Sequence, residues 1–580
     1  MRFGADKVSQ RRWLPATLRL TAVALGALHT WAAATSHSMN ADGISYLDIG
    51  DAYMRGDWNT AISSVWSPMY SWILGPVMKL VSPPMRWEFP VVQIVNFAIY
   101  LLALACFAFF WRQLSDYRRA RTENPSGTSS VSLPEWAWMS LGYILFLVAS
   151  LHLIEIWSVT PDMLMAAFVY LAAGLIVRIR MGVSTWHTFV LLGAVLGLGY
   201  LAKAIMFPIS FIFLAVTLLS ADSLSWAAPR VLVALVVFLV LSLPFVALVS
   251  VAEGEFTVSD VGTLTYARCI NRVPYPHWQG DAPGHGTPEH PSRKIFETPP
   301  IYEFGTPIGG TYPISLDPSY WYEGLDVRFD LHRQVDYTLF SALFYFDLFF
   351  RQHVGLTFGV LLLYLVSSRR SLQIVDVTSQ WGLVIPALAA FGFYGLVCVA
   401  GRYVGVFVVL FWADLLANVR LPESQVSRRL ASLVGTLMVA LMLVNVIAFN
   451  LEGYRGLTGQ GNLNVSSNRQ AVPLRWPGEV AEELHALGIQ PGDKVAVIGY
   501  GFDSFWARLA RVQIVAEMLG WEADPFWLGD RALQSEVLHA FASTGARAVV
   551  AERVPGYAAP SEWHRVGDSD YYVYILTDQR

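Results

Sequence analysis

The chain has 580 residues, 54% of them hydrophobic and 14% charged, with a mean hydropathy of +0.44. A soluble globule carries about 25% charge, so an ordinary soluble domain is excluded and the bilayer is the expected solvent. The net charge of −4 excludes the basic field that binding nucleic acid requires, and Cys106, Cys269 and Cys398 are too widely spaced for a disulfide framework or a zinc site.

In chain order, the basic N-terminus MRFGADKVSQRRW leads into LRLTAVALGALHTWAAAT, read as an uncleaved anchor because further apolar segments follow. A span needs about 20 apolar residues. On that measure about eleven helices are predicted, near residues 17–36, 89–111, 136–154, 162–179, 186–202, 204–220, 231–252, 353–368, 381–400, 403–419 and 429–449. Arginine and lysine accumulate on the cytoplasmic side. They fall before the first helix (Arg2, Lys7, Arg11, Arg12) and after the second (Arg112, Arg118, Arg119, Arg121). They recur after the fourth (Arg178, Arg180), before the seventh (Arg230), after the eighth (Arg369, Arg370) and before the eleventh (Arg428, Arg429). Every second loop is basic. This predicts a multi-pass protein of the inner membrane with a cytoplasmic N-terminus, and it places residues 37–88, 253–352 and the tail outside.

Two apolar stretches in the outer loops are expected to lie in the interface rather than to cross: AISSVWSPMYSWILGPVMKLV, broken by Pro68, Gly75 and Pro76, and YTLFSALFYFDLFF (337–350), which carries Asp347. The organisation expected is a membrane domain over 1–450 with outer loops 37–88 and 253–352, followed by a small extracytoplasmic α/β domain over 451–580. In that tail KVAVIGYG, RVQIVAEM, ARAVVAE and YYVYILTD read as strands, and PGEVAEELHALGI, SFWARLARV and DRALQSEVLHAFASTG as helices. The GYG after a strand is too short a signal to carry nucleotide binding.

The chemistry-bearing residues begin in NADGISYLDIGDAYMRGDW, where Asp42, Asp48, Asp51 and Asp57 are interleaved with Tyr46, Tyr53 and Trp58. Asp42, followed by Gly43, sits at the mouth of the bundle, where a partly desolvated carboxylate suits a general base. A helix cap is the ordinary alternative. Asp162 opens the fourth helix after Pro161, again a position where caps are common. Lys203 and Arg402 lie between apolar runs with no loop to speak of. Ionisable groups at such depth mark functional sites unless they snorkel to the headgroups. The alternating charge puts Asp42, Asp162, Lys203 and Arg402 at one level of the outer surface. Two acids and two cations there suit a site that holds a lipid-linked phosphate and activates a hydroxyl.

Four motifs, NADGISYLDIGDAY ending in WSP, TPDMLMA, GLGYLAKA and GRYVGVFVV, occur in that order over most of residues 15–420. In them the chain resembles the GT-C superfamily of membrane glycosyltransferases, in particular bacterial relatives of the protein O-mannosyltransferases and of the lipid A aminoarabinose transferase. That family often has Asp-Glu in the first outer loop, where this chain has Asp42-Gly43. The resemblance implies a GT-C-like helical membrane domain that moves a sugar from a polyprenyl-phosphate donor to an acceptor hydroxyl on a glycan, lipid or protein, at the extracytoplasmic face. It implies Asp42 and Asp162 as catalytic acids and Lys203 and Arg402 as donor-phosphate contacts. No nucleotide or metal is demanded, because a lipid phosphate already leaves well. Some relatives use a divalent ion, for which Asp48 and Asp51 are the available ligands, although exposed loop carboxylates are the commoner case.

Around that centre, Tyr46 and Asp48 in the first loop and Tyr312, Asp317, Trp321, Tyr322 and Glu323 in the second are expected to contact sugar or acceptor, since rings stack on sugar faces and carboxylates bind hydroxyls. Interfacial anchoring is the alternative for the aromatic residues. His277, His285 and His290 lack the close spacing of a zinc site. The competing function is a transporter or lipid flippase, whose buried charges line a path. Such proteins show internal repeats, and none is visible here.

Overall fold

The computed structural model describes residues 2–37, 39–122, 130–183, 185–221, 223–280, 285–305, 309–367, 382–457, 476–556, 558 and 562–576. Arg369 and Arg370, used above for orientation, fall outside these residues, as does 458–475 at the start of the tail. All eleven predicted segments coincide with helix. Among the described residues, five helices are long and apolar enough to cross a membrane: Met85–Arg121, Glu135–Leu153, Asp162–Arg180, Leu224–Glu253 and Gln425–Ala448. A sixth is added if Leu331–Gln352 and Val354–Val366, bent by 80°, form one span. Trp186–Ala202, Met206–Leu219 and Val384–Val397 are apolar but shorter. The chain is a multi-pass helical membrane protein, with five or six helices among the described residues meeting this length criterion.

The short helices share a physical cause. Lys203 ends Trp186–Ala202 in extended geometry (φ −156°, ψ 126°), and Cys398 (φ −161°, ψ 115°) and Ala400 (φ −148°, ψ 154°) separate Val384–Val397 from Gly401–Ala417. Both interruptions therefore fall where the sequence carries a deep cation. Irregular backbone at such depth needs a polar cavity or protein partners.

The first predicted outer loop, within 37–88, forms helices Ala41–Arg55, Trp58–Ala61 and Pro68–Val81, the last occupying the stretch predicted to be interfacial. Above them stands a seven-stranded sheet: β1 (Arg293–Glu297), β2 (Pro300–Glu303), β3 (Lys494–Gly499), β4 (Gln513–Leu519), β5 (Ala548–Ala551), β6 (His564–Arg565) and β7 (Tyr572–Ile575). The spatial order is β1-β2-β4-β3-β5-β7-β6. The β4-β3-β5 centre is parallel, and every other pairing is antiparallel. The four strands predicted in the tail form, and the three parallel ones are buried as near-continuous runs, as a covered parallel core requires. The α/β unit is nevertheless not built from 451–580 alone. The β1-β2 hairpin comes from the second outer loop and pairs with β4 through Tyr302 opposite Glu517 and Glu303 opposite Ala516.

A buried ionic cluster fixes the α/β unit to the first outer loop. Arg508, 3% exposed, donates through Nη1 to Asp48 (2.5 Å), through Nη2 to Asp51 (2.9 Å) and through Nε to Glu88 (2.7 Å). Asp48 also accepts from the Thr311 amide at 2.7 Å and the Thr311 hydroxyl at 3.2 Å. Burial works against the charged guanidinium, but Glu88, Asp48 and Asp51 outweigh it and hold its pKa above the ordinary arginine value.

Inside the α/β unit Glu552 is buried and accepts from the Trp506 indole (2.9 Å), the Tyr500 amide (3.1 Å) and the Ser504 hydroxyl (3.1 Å). Burial pushes its carboxyl up to about 7, against the pull of those three donors. A carboxyl raised in the folded state contributes stability that is complete below its unfolded pKa, near 4.5, and is lost as pH rises through about 7. The apparent melting temperature of the protein is therefore expected to fall between about pH 5 and 8, by an amount on the order of 3 kcal/mol in stability. Glu552→Gln should flatten that slope, and a variant with the wild-type slope would show that another group causes it.

Candidate active site

Asp42 lies in the first turn of Ala41–Arg55, whose N-cap is Asn40. Asp42 therefore does not cap the helix, and its carboxylate is available elsewhere. It pairs with Arg402, Oδ2 to Nη1 at 2.9 Å, both side chains being 31% exposed. Asp162 is the first residue of its helix and makes no capping bond. Its Oδ1 accepts from Lys203 Nζ, while its other oxygen is buried without a hydrogen-bond partner among the described residues. Arg402 occupies the first turn of Gly401–Ala417, an end whose dipole repels cations. The Asp42 carboxylate compensates for that placement.

Tyr403 joins the two pairs. Lys203 Nζ stands 4.3 Å from its ring centroid and Arg402 Cζ 5.1 Å, and Arg402 Nη2 donates to its hydroxyl at 3.3 Å. Lys203 lies within electrostatic reach of Asp42 and Arg402 as well as Asp162. The four residues predicted from depth and charge thus form one cluster. Tyr46 belongs to it too: its buried phenol is raised well above the ordinary tyrosine pKa, first by burial and then by Asp42 and Asp162. Tyr394 stacks on Tyr403 (5.1 Å, 18°), and its buried hydroxyl has no hydrogen-bond partner among the described residues.

The first loop is clamped to the turn before Asp162. Asn40 Nδ2 donates to the Val159 carbonyl at 3.3 Å and its Oδ1 accepts from the Val159 amide at 2.9 Å. Gly43 closes the same contact, since a Cβ there would lie 2.6 Å from Met39 Sδ and 2.7 Å from Val159 Cβ. Gly43→Val is expected to cost about 1–3 kcal/mol through overpacking and to displace Asp42 from Arg402. The check is a melting curve together with the salt dependence of activity.

Three contributors were not visible as site residues in the sequence. Tyr403 follows Arg402 but carries no depth signal of its own. Glu155, in the turn after the helix that ends at Leu153, has left-handed backbone (φ 59°) that a non-glycine residue rarely adopts. Burial raises its carboxyl, and nearby Arg402 draws it back down. Arg268, in the second outer loop, is exposed, with its guanidinium 5.6 Å from the Tyr275 ring. Tyr275 in turn feels the Asp42 charge.

The remaining predicted contacts lie elsewhere. Asp48 is engaged by Arg508 and Thr311, so it is neither a sugar contact nor a free metal ligand, and Asp51 is held by the same guanidinium. Tyr312 is buried and donates to Glu517 at 2.7 Å. Asp317 caps Pro318–Trp321 through the Tyr320 amide at 3.3 Å. Trp321 is buried against Phe304 and Tyr320. Tyr322 is buried with its hydroxyl on the Pro274 carbonyl (3.1 Å), and it stacks on Tyr275 behind the site. Glu323 pairs at the surface with His290 at 2.9 Å. The physical reason is shared by the buried rings: Pro313–Leu316 docks on Ser45 of the Ala41–Arg55 helix and on Trp66, which follows the next short helix, so these rings pack against protein instead of facing a sugar. His277 is likewise buried, with Nε2 on Glu517 at 2.7 Å. The GYG turn is filled by protein, because a Cβ at Gly501 would lie 2.2 Å from the Tyr312 ring, and its amide donates to Glu517 at 2.7 Å.

The chain is similar over 97% of its length, and over 98% of the other chain, to the apo crystal structure of ArnT from Cupriavidus metallidurans, with a TM-score of 0.50 at 13% sequence identity. The chain carries the GT-C fold. ArnT bound to undecaprenyl phosphate gives a TM-score of 0.49 at 12% identity over the same coverage. The Archaeoglobus fulgidus oligosaccharyltransferase gives 0.45 at 14% identity over 93% of this chain and 68% of that one. No family model and no curated protein sequence matches the chain. At these identities the GT-C likeness speaks for architecture, and function rests on the site.

Proposed function

We propose that the protein is a glycosyltransferase that moves a sugar from a polyprenyl-phosphate-linked donor to an acceptor hydroxyl at the extracytoplasmic face. The observation that carries this reading is the meeting of two acid–cation pairs, Asp42 with Arg402 and Asp162 with Lys203, around one ring, Tyr403. The GT-C fold agrees with it, and ArnT, the lipid A aminoarabinose transferase, binds undecaprenyl phosphate.

The chemistry follows from the pairing. A donor phosphate competes with Asp42 for Arg402, because guanidinium binds phosphate through two parallel hydrogen bonds. Binding thereby frees the Asp42 carboxylate. The acceptor oxygen then attacks the anomeric carbon, its proton passes to Asp42, and the bond from that carbon to the phosphate oxygen breaks. Lys203 and Arg402 hold the charge that collects on the departing lipid phosphate. Asp162 orients Lys203. The reading needs no cofactor, and the acceptor remains one of the hydroxyl-bearing classes: glycan, lipid or protein.

The test is transfer by the purified protein from radiolabelled polyprenyl-phosphate sugars to components of a membrane extract. Arg402→Met and Lys203→Met are each expected to raise the donor KM by about tenfold or more, the worth of one charge-assisted hydrogen bond. Absence of transfer with every donor, combined with movement of labelled lipid between leaflets of a vesicle, would favour a flippase instead.

A further inference from the structure

A second feature lies near the end of the helix that precedes Glu155. A cavity of about 390 Å³ opens between the end of the Glu135–Leu153 helix, the 80° bend at Gln352–His353 and the far part of the Gln425–Leu457 helix. Its volume is within the ~300–1,000 Å³ of small-molecule sites. Leu151, Met442 and Val446 supply apolar wall, and His353, Gln352 and Asn445 supply polar groups. None of the residues lining it is a lysine or an arginine.

His353 is 1% exposed. Its Nδ1 lies 3.3 Å from the indole Nε1 of Trp412, an obligate donor, so Nδ1 is the accepting nitrogen and the neutral ring carries its proton on Nε2. That Nε2 has no hydrogen-bond partner among the described residues. A buried donor left unmet is costly, and the cavity that His353 lines is the space from which an acceptor can reach it. The Asn445 amide already donates to the Gln352 carbonyl at 2.6 Å, which braces the bend.

We infer that this cavity binds the ester region of a membrane glycerolipid, with an uncharged carbonyl oxygen accepting from His353 Nε2 and an acyl chain along Leu151, Met442 and Val446. The absence of a lysine or arginine among the described lining residues separates it from the Lys203 and Arg402 cluster and disfavours a phosphate as the group recognised. Leu153, next to His152 of the cavity wall, packs on Gly401, whose neighbour is Arg402. A bound lipid therefore braces the helix end on which the candidate site rests. This inference is independent of the glycosyltransferase reading.

The test is photo-crosslinking of the full-length protein, in nanodiscs, to a diacylglycerolipid with a diazirine in the acyl chain near the ester, followed by peptide mass spectrometry. Crosslinks are expected on the Val148–Leu153 and Met442–Val446 segments. Ala448→Trp, an exposed residue at the rim, should abolish them without touching the core. His353→Leu should weaken retention of the lipid about fivefold, the worth of one net hydrogen bond. Crosslinks spread evenly over all lipid-facing helices, or unchanged in Ala448→Trp, would overturn the site. Equal capture of a fatty alcohol that lacks an ester would overturn the assigned chemistry.

Discussion

Asp42→Asn is expected to lower sugar transfer roughly a thousandfold, within the ~10²–10⁴ that a positioned base contributes. The amide keeps the shape of the carboxylate and can still accept from Arg402, so the first turn of Ala41–Arg55 has no reason to move. What is lost is the ability to take the acceptor proton. Because an amide holds Arg402 less tightly than a carboxylate does, the donor KM should stay level or fall while kcat collapses. That split separates a base from a residue that merely positions the donor. Asp42→Glu should recover part of the rate, since it restores the charge at a displaced position. Wild-type transfer by Asp42→Asn would remove Asp42 from the chemistry and leave its pairing with Arg402 as a structural bond.

Arg508→Met is expected to cost about 3–5 kcal/mol, the penalty for stranding buried charge. Three carboxylates converge on this one guanidinium, and Asp48 and Glu88 have almost no access to water. Arg511 reaches Glu88 and comes within 4.0 Å of Asp51, so it offsets part of the loss but not that of Asp48. Arg508→Lys should rescue little, because an ammonium cannot present the planar fork that meets three acceptors at once. The measurement is the apparent melting temperature together with the rate of proteolysis within the α/β unit. A fall of less than about 1 kcal/mol would mean that the cluster behaves like a surface ion pair.

The membrane helices, the strands of the tail and the four charges of the candidate site were legible because each leaves a one-dimensional trace: hydropathy, alternation, or a charge where apolar residues surround it. Asp48 and Tyr312 were misjudged for the converse reason. Nothing local distinguishes an acid or a ring that faces a ligand from one whose partner lies hundreds of residues away. The hairpin of Arg293–Glu303 was passed over because it follows a stretch rich in glycine and proline and its strands are completed only by Gln513–Leu519. Tyr403 and Glu155 were missed because their importance is a matter of position in space, and neither residue is unusual in its own segment. The helix breaks at Lys203 and before Arg402 were legible too, because a charge interrupts each apolar run there.

The hairpin's attachment to the tail also imposes an order on biosynthesis. Tyr312 and its acceptor Glu517 are 205 residues apart, and the sheet edge at Tyr302 waits for the same late strand. Several hydrophobic segments are inserted into the bilayer between the emergence of one partner and the other. Until the last part of the chain has been made, the Arg293–Glu303 hairpin presents an unpaired strand edge, the kind of surface that associates wrongly with other chains. Maturation of this protein is thus paced by the arrival of its C-terminus. A chain interrupted before Gln513 would lack the strand on which the hairpin is completed.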